Sequence, residues 1–221
     1  MVDFDSLASE FDAWFDEEGK LAFAIEVRAF QAVLPVLPRP WLEIGVGSGR
    51  FAQALGIDTG IDPSARLLGM ARRRGVTGFR ARGEDKTFDE ETFGTVFLIV
   101  TLCFVDSPLA VLREARRILQ PGGKVALGLV LRENPWGQLY QAKKEQGHRF
   151  YRYATFYRYQ EVAAFLEHAG FAIETVMSTL FQQPEEVKAL ESPQEGFSID
   201  AGFTVIVADK TPAQRQVGQG G

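Results

Sequence analysis

Apolar residues near the amino terminus recur at helical spacing, with Phe11, Trp14 and Phe15 followed by Ala22, Ile25 and Ala29. The spacing predicts two helices across residues 4–34, broken at Gly19 and stopped by Pro35, Pro38 and Pro40. A short apolar run then ends in glycines at residues 41–45, as a buried strand feeding a tight turn would. Residues 50–55 form a brief predicted helix closed by Gly56, and residues 57–62 a second strand ending in Asp62. Leu67, Leu68 and Ala71 mark a helix over 64–74, with Arg72, Arg73 and Arg74 in its last turn, where cations complement the helix dipole. A third strand is expected at 76–82. The near-continuous apolar run at 95–102 fits a central parallel strand covered on both faces.

Ser107 and Pro108 are an N-cap serine and N1 proline, and Val111, Leu112, Ala115, Ile118 and Leu119 give the helix they open its buried stripe. Pro121-Gly122-Gly123 ends it in a turn before a strand at 124–131. Over residues 132–159 the regular pattern gives way to an aromatic and basic insert containing Trp136, Tyr140, Phe150, Tyr151, Tyr153, Phe156 and Tyr157, expected to cap the sheet edge. A helix at 160–169 leads to strands at 171–181 and 202–208. No helical pattern separates these two strands, so they are expected to pair antiparallel. The Gln- and Gly-rich tail at 211–221 has the composition of a disordered segment. Alternating strands and helices predict an α/β, doubly wound, mostly parallel sheet with helices on both faces, a single domain over 1–210, and a helical lid at 1–34.

Hydrophobic residues are 46% of the chain and charged residues 24%, enough apolar material to bury a sheet between helix layers. A net charge of −5 opposes the broad phosphate neutralisation that nucleic-acid binding requires, so no nucleic-acid partner is expected. No apolar run has the length of a membrane span, and the acidic start lacks the basic region of a signal peptide. The lone cysteine, Cys103, lies in an apolar run, reads as core filling, and suits a reducing compartment; a cytoplasmic location is expected. No metal site is expected.

Chemistry is concentrated in Glu43-Ile44-Gly45-Val46-Gly47-Ser48-Gly49, at a strand-to-helix junction. Missing Cβ atoms let a ligand approach the backbone there, and free amides point outward. A tight βα turn alone would also use glycines. A dinucleotide fingerprint would place its third glycine where Arg50 stands, which disfavours a nicotinamide-dependent oxidoreductase.

With its Glu-x-Gly-x-Gly-x-Gly segment, the chain resembles the class I S-adenosylmethionine-dependent methyltransferases, particularly the group acting on small molecules. The resemblance implies a Rossmann-like seven-stranded sheet of order 3-2-1-4-5-7-6 with the last strand antiparallel. It assigns Glu43, Gly45, Gly47 and Gly49 to the cofactor loop. Asp62, with Pro63 after it, falls where the family grips the ribose hydroxyls, and an acceptor-only carboxylate suits two neighbouring donors. Gly83-Glu84-Asp85 resembles the adenine-recognition segment, with Asp85 expected at the exocyclic amine and Glu84 acting through its backbone. Val100 and Thr101 would pass beside the sulfonium. S-adenosylmethionine is the implied cofactor, S-adenosylhomocysteine its product, and a small molecule the implied methyl acceptor.

No acid/base pair stands out. His148 and Tyr151 are the candidates for a catalytic role, although a histidine beside Lys143, Lys144 and Arg149 is also a common solvated surface residue. His168, in a helix's last turn, is explained by capping. Tyr140 and Tyr153 are candidates for the acceptor pocket, and Trp14 and Phe15 for a lid over the cofactor, where aromatic faces favour a sulfonium; packing in a cap or an amphipathic stripe is the competing role. The missing base leaves open a protein that binds S-adenosylmethionine without turnover, as a regulatory or scaffold subunit.

Overall fold

In the computed structural model, which describes residues 4–184 and 186–212, the two amino-terminal helices are α1 (Phe4–Trp14) and α2 (Lys20–Val33). They part at Gly19, where a Cβ would overlap the Trp14 ring. A 3-10 turn at Leu34–Val36 and the prolines after it lead into β1 (Trp41–Ile44), all four of whose residues are buried. Then come α3 (Arg50–Leu55), β2 (Thr59–Asp62), α4 (Ala65–Arg73) and β3 (Thr77–Arg80). Ser64 caps α4 by accepting from the Leu67 N–H at 3.1 Å.

Next are β4 (Phe93–Ile99), α5 (Pro108–Ile118) and β5 (Leu119–Leu129), with Ser107 capping α5. The turn expected at residues 121–123 lies instead within β5, which begins at Leu119 rather than at 124. Leu119 pairs with Phe93, and a register shift then brings Lys124 opposite Thr95. The aromatic insert contains α6 (Pro135–Glu145), capped by Asn134, whose Oδ1 accepts from the Gly137 N–H at 2.9 Å, and a 3-10 turn at Tyr151–Tyr153. The chain closes with α7 (Tyr159–His168), β6 (Phe171–Thr179), β7 (Gln194–Glu195) and β8 (Phe203–Lys210).

The sheet has order β3-β2-β1-β4-β5-β8-β6-β7. β1 is parallel to β2 and β4, β4 is parallel to β5, and β8 runs antiparallel to both β5 and β6. The expected order is therefore present, extended at its edge by the two-residue β7, too short for a hydrophobic pattern to announce. Alternate residues of the central strands feed opposite cores. Phe97, Ala126, Phe203 and Val205 join α2, α3 and α4 on one face, whereas Val96, Leu98, Val125 and Ile206 join α5 and α7 on the other. Fully burying a side chain such as Phe30 or Phe97 stabilises by about 1.5–3 kcal/mol. No helix among the described residues is long and apolar enough to cross a membrane.

Of the tail expected to be disordered, Thr211 lies within the described residues and donates its N–H and Oγ1 to the Gly170 carbonyl at 3.0 and 2.7 Å. Residues 213–221 lie outside the described residues.

Candidate active site

The order of strands reverses between β1 and β4, and a crevice opens there beyond the carboxyl ends of the parallel strands. It holds a cavity of 840 Å³. β1 delivers the chain into it through Gly45, whose φ of 73° is left-handed and where a Cβ would overlap the Thr101 side chain. The Gly45 and Val46 amides donate to the Ile61 carbonyl at 2.8 and 3.0 Å, which ties the loop to β2. Gly45, Val46, Gly47 and Ser48 all line the cavity.

Asp62, the last residue of β2, is buried under this loop and faces the same space. Its Oδ2 accepts from the Gly47 N–H at 2.9 Å and its Oδ1 from the Ser64 N–H at 2.8 Å. Burial raises its pKa from an ordinary 3.8 to about 6, against the opposing pull of those two amides, with the Asp5 carboxylate adding to the rise. Pro63 lines the wall beside it.

Two members of the glycine motif are elsewhere. Glu43 is buried below the loop, on the face of β1 opposite its neighbours Leu42 and Ile44, and does not line the cavity. Burial, and then the nearby Asp62 charge, hold its carboxyl well above the usual range; it accepts from the Ala52 amide, and its Oε2 has no hydrogen-bond partner among the described residues. Gly49 is the N-cap of α3 and lies outside the wall. Its φ is 82°, and a Cβ there would sit 2.9 Å from the Ala71 backbone, so this glycine serves close packing of α4.

The acidic pair also departs from expectation. Glu84, not Asp85, lines the cavity, with its carboxylate 2.7 Å from Arg82 Nε. Asp85 is exposed and turned back, its Oδ2 accepting from the Arg82 N–H at 2.8 Å within a tight turn. β4 stops at Ile99, short of the predicted end at Leu102. Val100 has φ 51°, a strained conformation for a β-branched residue, and its N–H donates to the Gly128 carbonyl at 2.8 Å. That turn brings Val100 and Thr101 into the wall. Cys103 also lines the cavity rather than only filling core, and burial pushes its thiol up to about 12, so it is not a ready nucleophile.

α1 roofs the loop. A Cβ on Gly47 would lie 3.7 Å from the Phe11 ring, and Phe4 meets Phe104 edge-on at 5.3 Å. Asp12 latches this helix to the sheet-side helices, at 2.9 Å from Arg50 Nε and 2.8 Å from Arg74 Nη2. Burial opposes the charge on Asp12, but hydrogen bonds from Arg50 and Arg74 outweigh it and hold the carboxyl well below the usual range. Trp14 and Phe15 line the cavity, and Phe15 also packs into the core against Phe23 at 5.1 Å.

The insert supplies the other wall. Tyr140 and Tyr151 stack at 4.2 Å, and His148 stacks on Tyr151 at 4.6 Å. Burial pushes Tyr151 up to about 12 and Tyr140 well above its ordinary value, so both are neutral phenols. Burial, and then Lys143, lower the pKa of His148, which keeps its ring neutral at pH 7. Tyr153 stands at the mouth, 39% exposed. His168 is spent on capping, Nδ1 lying 2.7 Å from the Ala164 carbonyl. Glu26 of α2 also lines the cavity and was not among the sequence candidates. Its signal was present: an acid on the apolar stripe of Ala22, Ile25, Ala29 and Phe30.

A glycine loop and a buried acid at the strand switch define a Rossmann-like α/β protein with its ligand crevice at the carboxyl edge. A family model described as a methyltransferase domain matches residues 42–127. An uncharacterized protein of Mycobacterium tuberculosis is 41% identical over 91% of this chain and 71% of its own length. One of Methanocaldococcus jannaschii is 35% identical over 94% and 98%. A solved structure from Thermotoga maritima, described as a SAM-dependent methyltransferase and possible histamine N-methyltransferase, is 36% identical over 94% of this chain and 98% of that one, with a TM-score of 0.88. The chain belongs to the class I S-adenosylmethionine-dependent methyltransferases.

Proposed function

We propose that this protein binds S-adenosylmethionine in the crevice and transfers its methyl group to a small-molecule acceptor by in-line displacement. The observation that carries the reading is Asp62, a buried carboxylate facing the cavity from the end of β2. Each of its oxygens accepts one backbone amide and keeps a second lone-pair direction for a ribose hydroxyl. The residues present fit the cofactor: the backbone from Gly45 to Ser48 offers a surface for an amino-acid tail, and Glu84 offers an acceptor to an adenine amine. Glu43, Gly49 and Asp85 support this loop and turn from outside the wall. When bound, the cofactor supplies a methyl group already activated by a positively charged sulfur.

The chain's own work is then alignment and exclusion of water. α1 roofs the cradle with Phe11, Trp14 and Phe15, while Tyr140, Tyr151, Tyr153 and His148 bound the acceptor half. Among these, His148 is the group whose neutral ring can accept a proton at pH 7. A small-molecule acceptor, rather than nucleic acid, accords with the net charge of −5. Titration calorimetry tests the reading: S-adenosylmethionine and S-adenosylhomocysteine bind, NAD does not, and Asp62→Ala loses most of the affinity. Unchanged affinity in that variant overturns the ribose assignment.

A further inference from the structure

α2 leads through the proline segment into the start of β1, so it runs against the parallel strands and its first turns lie toward their carboxyl edge. Glu26 sits in that half and is 5% exposed, yet it lines the cavity that Gly45 and Val130 also line. It makes no hydrogen bond or ion pair with any described residue. Burial alone raises its pKa from 4.5 to about 8. A carboxyl group in that position is costly unless a partner arrives from the cavity.

The groups facing it describe the partner. Tyr140 of α6 and Tyr151 of the following 3-10 turn both feel the Glu26 charge, and Glu18, from the α1–α2 connection, acts on Tyr151 as well. Glu18 lines the same cavity, as does Phe156. Of the cavity's cations, Arg50 is matched by Asp12 and Asp16 and Arg82 by Glu84 and Asp106, while Lys143 lies close enough to His148 to lower its pKa. A carboxylate close to the stacked Tyr140 and Tyr151 rings, with further negative charge beside it, is the chemistry that holds an organic ammonium.

We propose that Glu26 is the acceptor-binding residue and that the acceptor is an amine, entering as its ammonium with that group on Glu26 and its carbon skeleton along Tyr140, Tyr151 and Phe156; before transfer the ammonium would return a proton to the Glu26 carboxylate, freeing the nitrogen lone pair that takes the methyl group. The assignment of that ligand as the methyl acceptor rests on the methyltransferase reading; the amine site itself does not. At pH 7 Glu26 is protonated in the free protein and ionises when the ammonium pairs with it, so binding releases a proton.

The test is calorimetry on the full-length protein at pH 7, with benzylamine and the isosteric neutral benzyl alcohol as probes, in two buffers of different ionisation enthalpy. We expect benzylamine to bind about tenfold or more tightly than benzyl alcohol and to release about one proton. Glu26→Gln, nearly the same in shape, abolishes both the preference and the proton release; Glu26→Leu does the same should the amide find a new partner. Equal binding of the two probes, or a preference that survives in both variants, overturns the proposal. S-adenosylhomocysteine is titrated into the same samples. If it binds while benzylamine shows no preference, the amine site falls and the methyltransferase reading stands. If it fails to bind while the Glu26-dependent preference is present, the amine site stands and the cofactor assignment falls.

Discussion

Lowering the pH from 8 to 5 should weaken cofactor binding through Asp62. Its folded pKa is about 6, raised from 3.8 chiefly by burial. The ribose hydroxyls are donors, so they select the ionised carboxylate, which has acceptors only; protonation replaces one acceptor with a competing donor. Affinity is therefore flat above the folded pKa and lost as the pH falls through it. Each unit below costs about 1.4 kcal/mol, or roughly tenfold in the dissociation constant. Between pH 8 and 5 the predicted loss is roughly tenfold, because only the last unit lies below the pKa. Calorimetric titration with S-adenosylhomocysteine at four pH values reads it directly, and adenosine, which has the ribose but no amino-acid tail, should follow the same curve. Asp62→Asn should bind weakly at every pH, with the curve flattened. Affinity for adenosine that stays constant down to pH 5 would refute the reasoning.

Gly49→Ala should lower stability by about 2–4 kcal/mol, from left-handed strain together with overpacking, because its Cβ would lie 2.9 Å from the Ala71 backbone at a φ of 82°. Gly122, with φ 73° and open space around it, is the control: thermal melts that show equal losses for Gly122→Ala would contradict the packing role. Asp12→Ala removes the partly buried bridge to Arg50 and Arg74 and should weaken docking of α1 by about 1–3 kcal/mol. Amide exchange in α1 should quicken while that of β4 does not, and unchanged protection of α1 would count against the latch. For Glu26, the unfolded chain gives up its proton near 4.5 and the folded protein holds it to about 8, so stability falls as pH rises across that window. The slope is up to about 1.4 kcal/mol per unit. Urea midpoints at pH 5 and 8 should diverge more in the wild type than in Glu26→Gln; parallel shifts would show that Glu26 is ionised in the folded state.

Periodicity and punctuation carried most of the fold. The αL stop at Gly56, the Ser107 cap ahead of Pro108, and the antiparallel pairing of β6 with β8 were all legible, because each is a local signal or follows from the lack of a helix between two strands. Hydrophobicity continues through Leu102 and so extends the expected strand beyond β4, whereas the exit from the sheet is set by the φ of Val100, which composition does not encode. The glycine loop and Asp62 were found at the crevice, but which acid of the Glu84–Asp85 pair faces it depends on Asp85 bonding back to Arg82. Glu43 is placed by strand alternation, which turns it away from the cavity. The union of Asp12 with Arg50 and Arg74 is tertiary and leaves no trace in spacing. Glu26 leaves a legible sign in the sequence, an acid interrupting an apolar stripe.

The central claim is that a nucleoside spans the carboxyl edge of the sheet between Asp62 and Glu84, with its tail against the glycine loop. A crystal structure of the protein grown with S-adenosylhomocysteine tests it most directly. The account predicts both ribose hydroxyls within hydrogen-bond distance of the Asp62 carboxylate and the homocysteine portion against the backbone near Gly47. Ligand density elsewhere, with the space above Asp62 closed by the protein's own side chains, would contradict it.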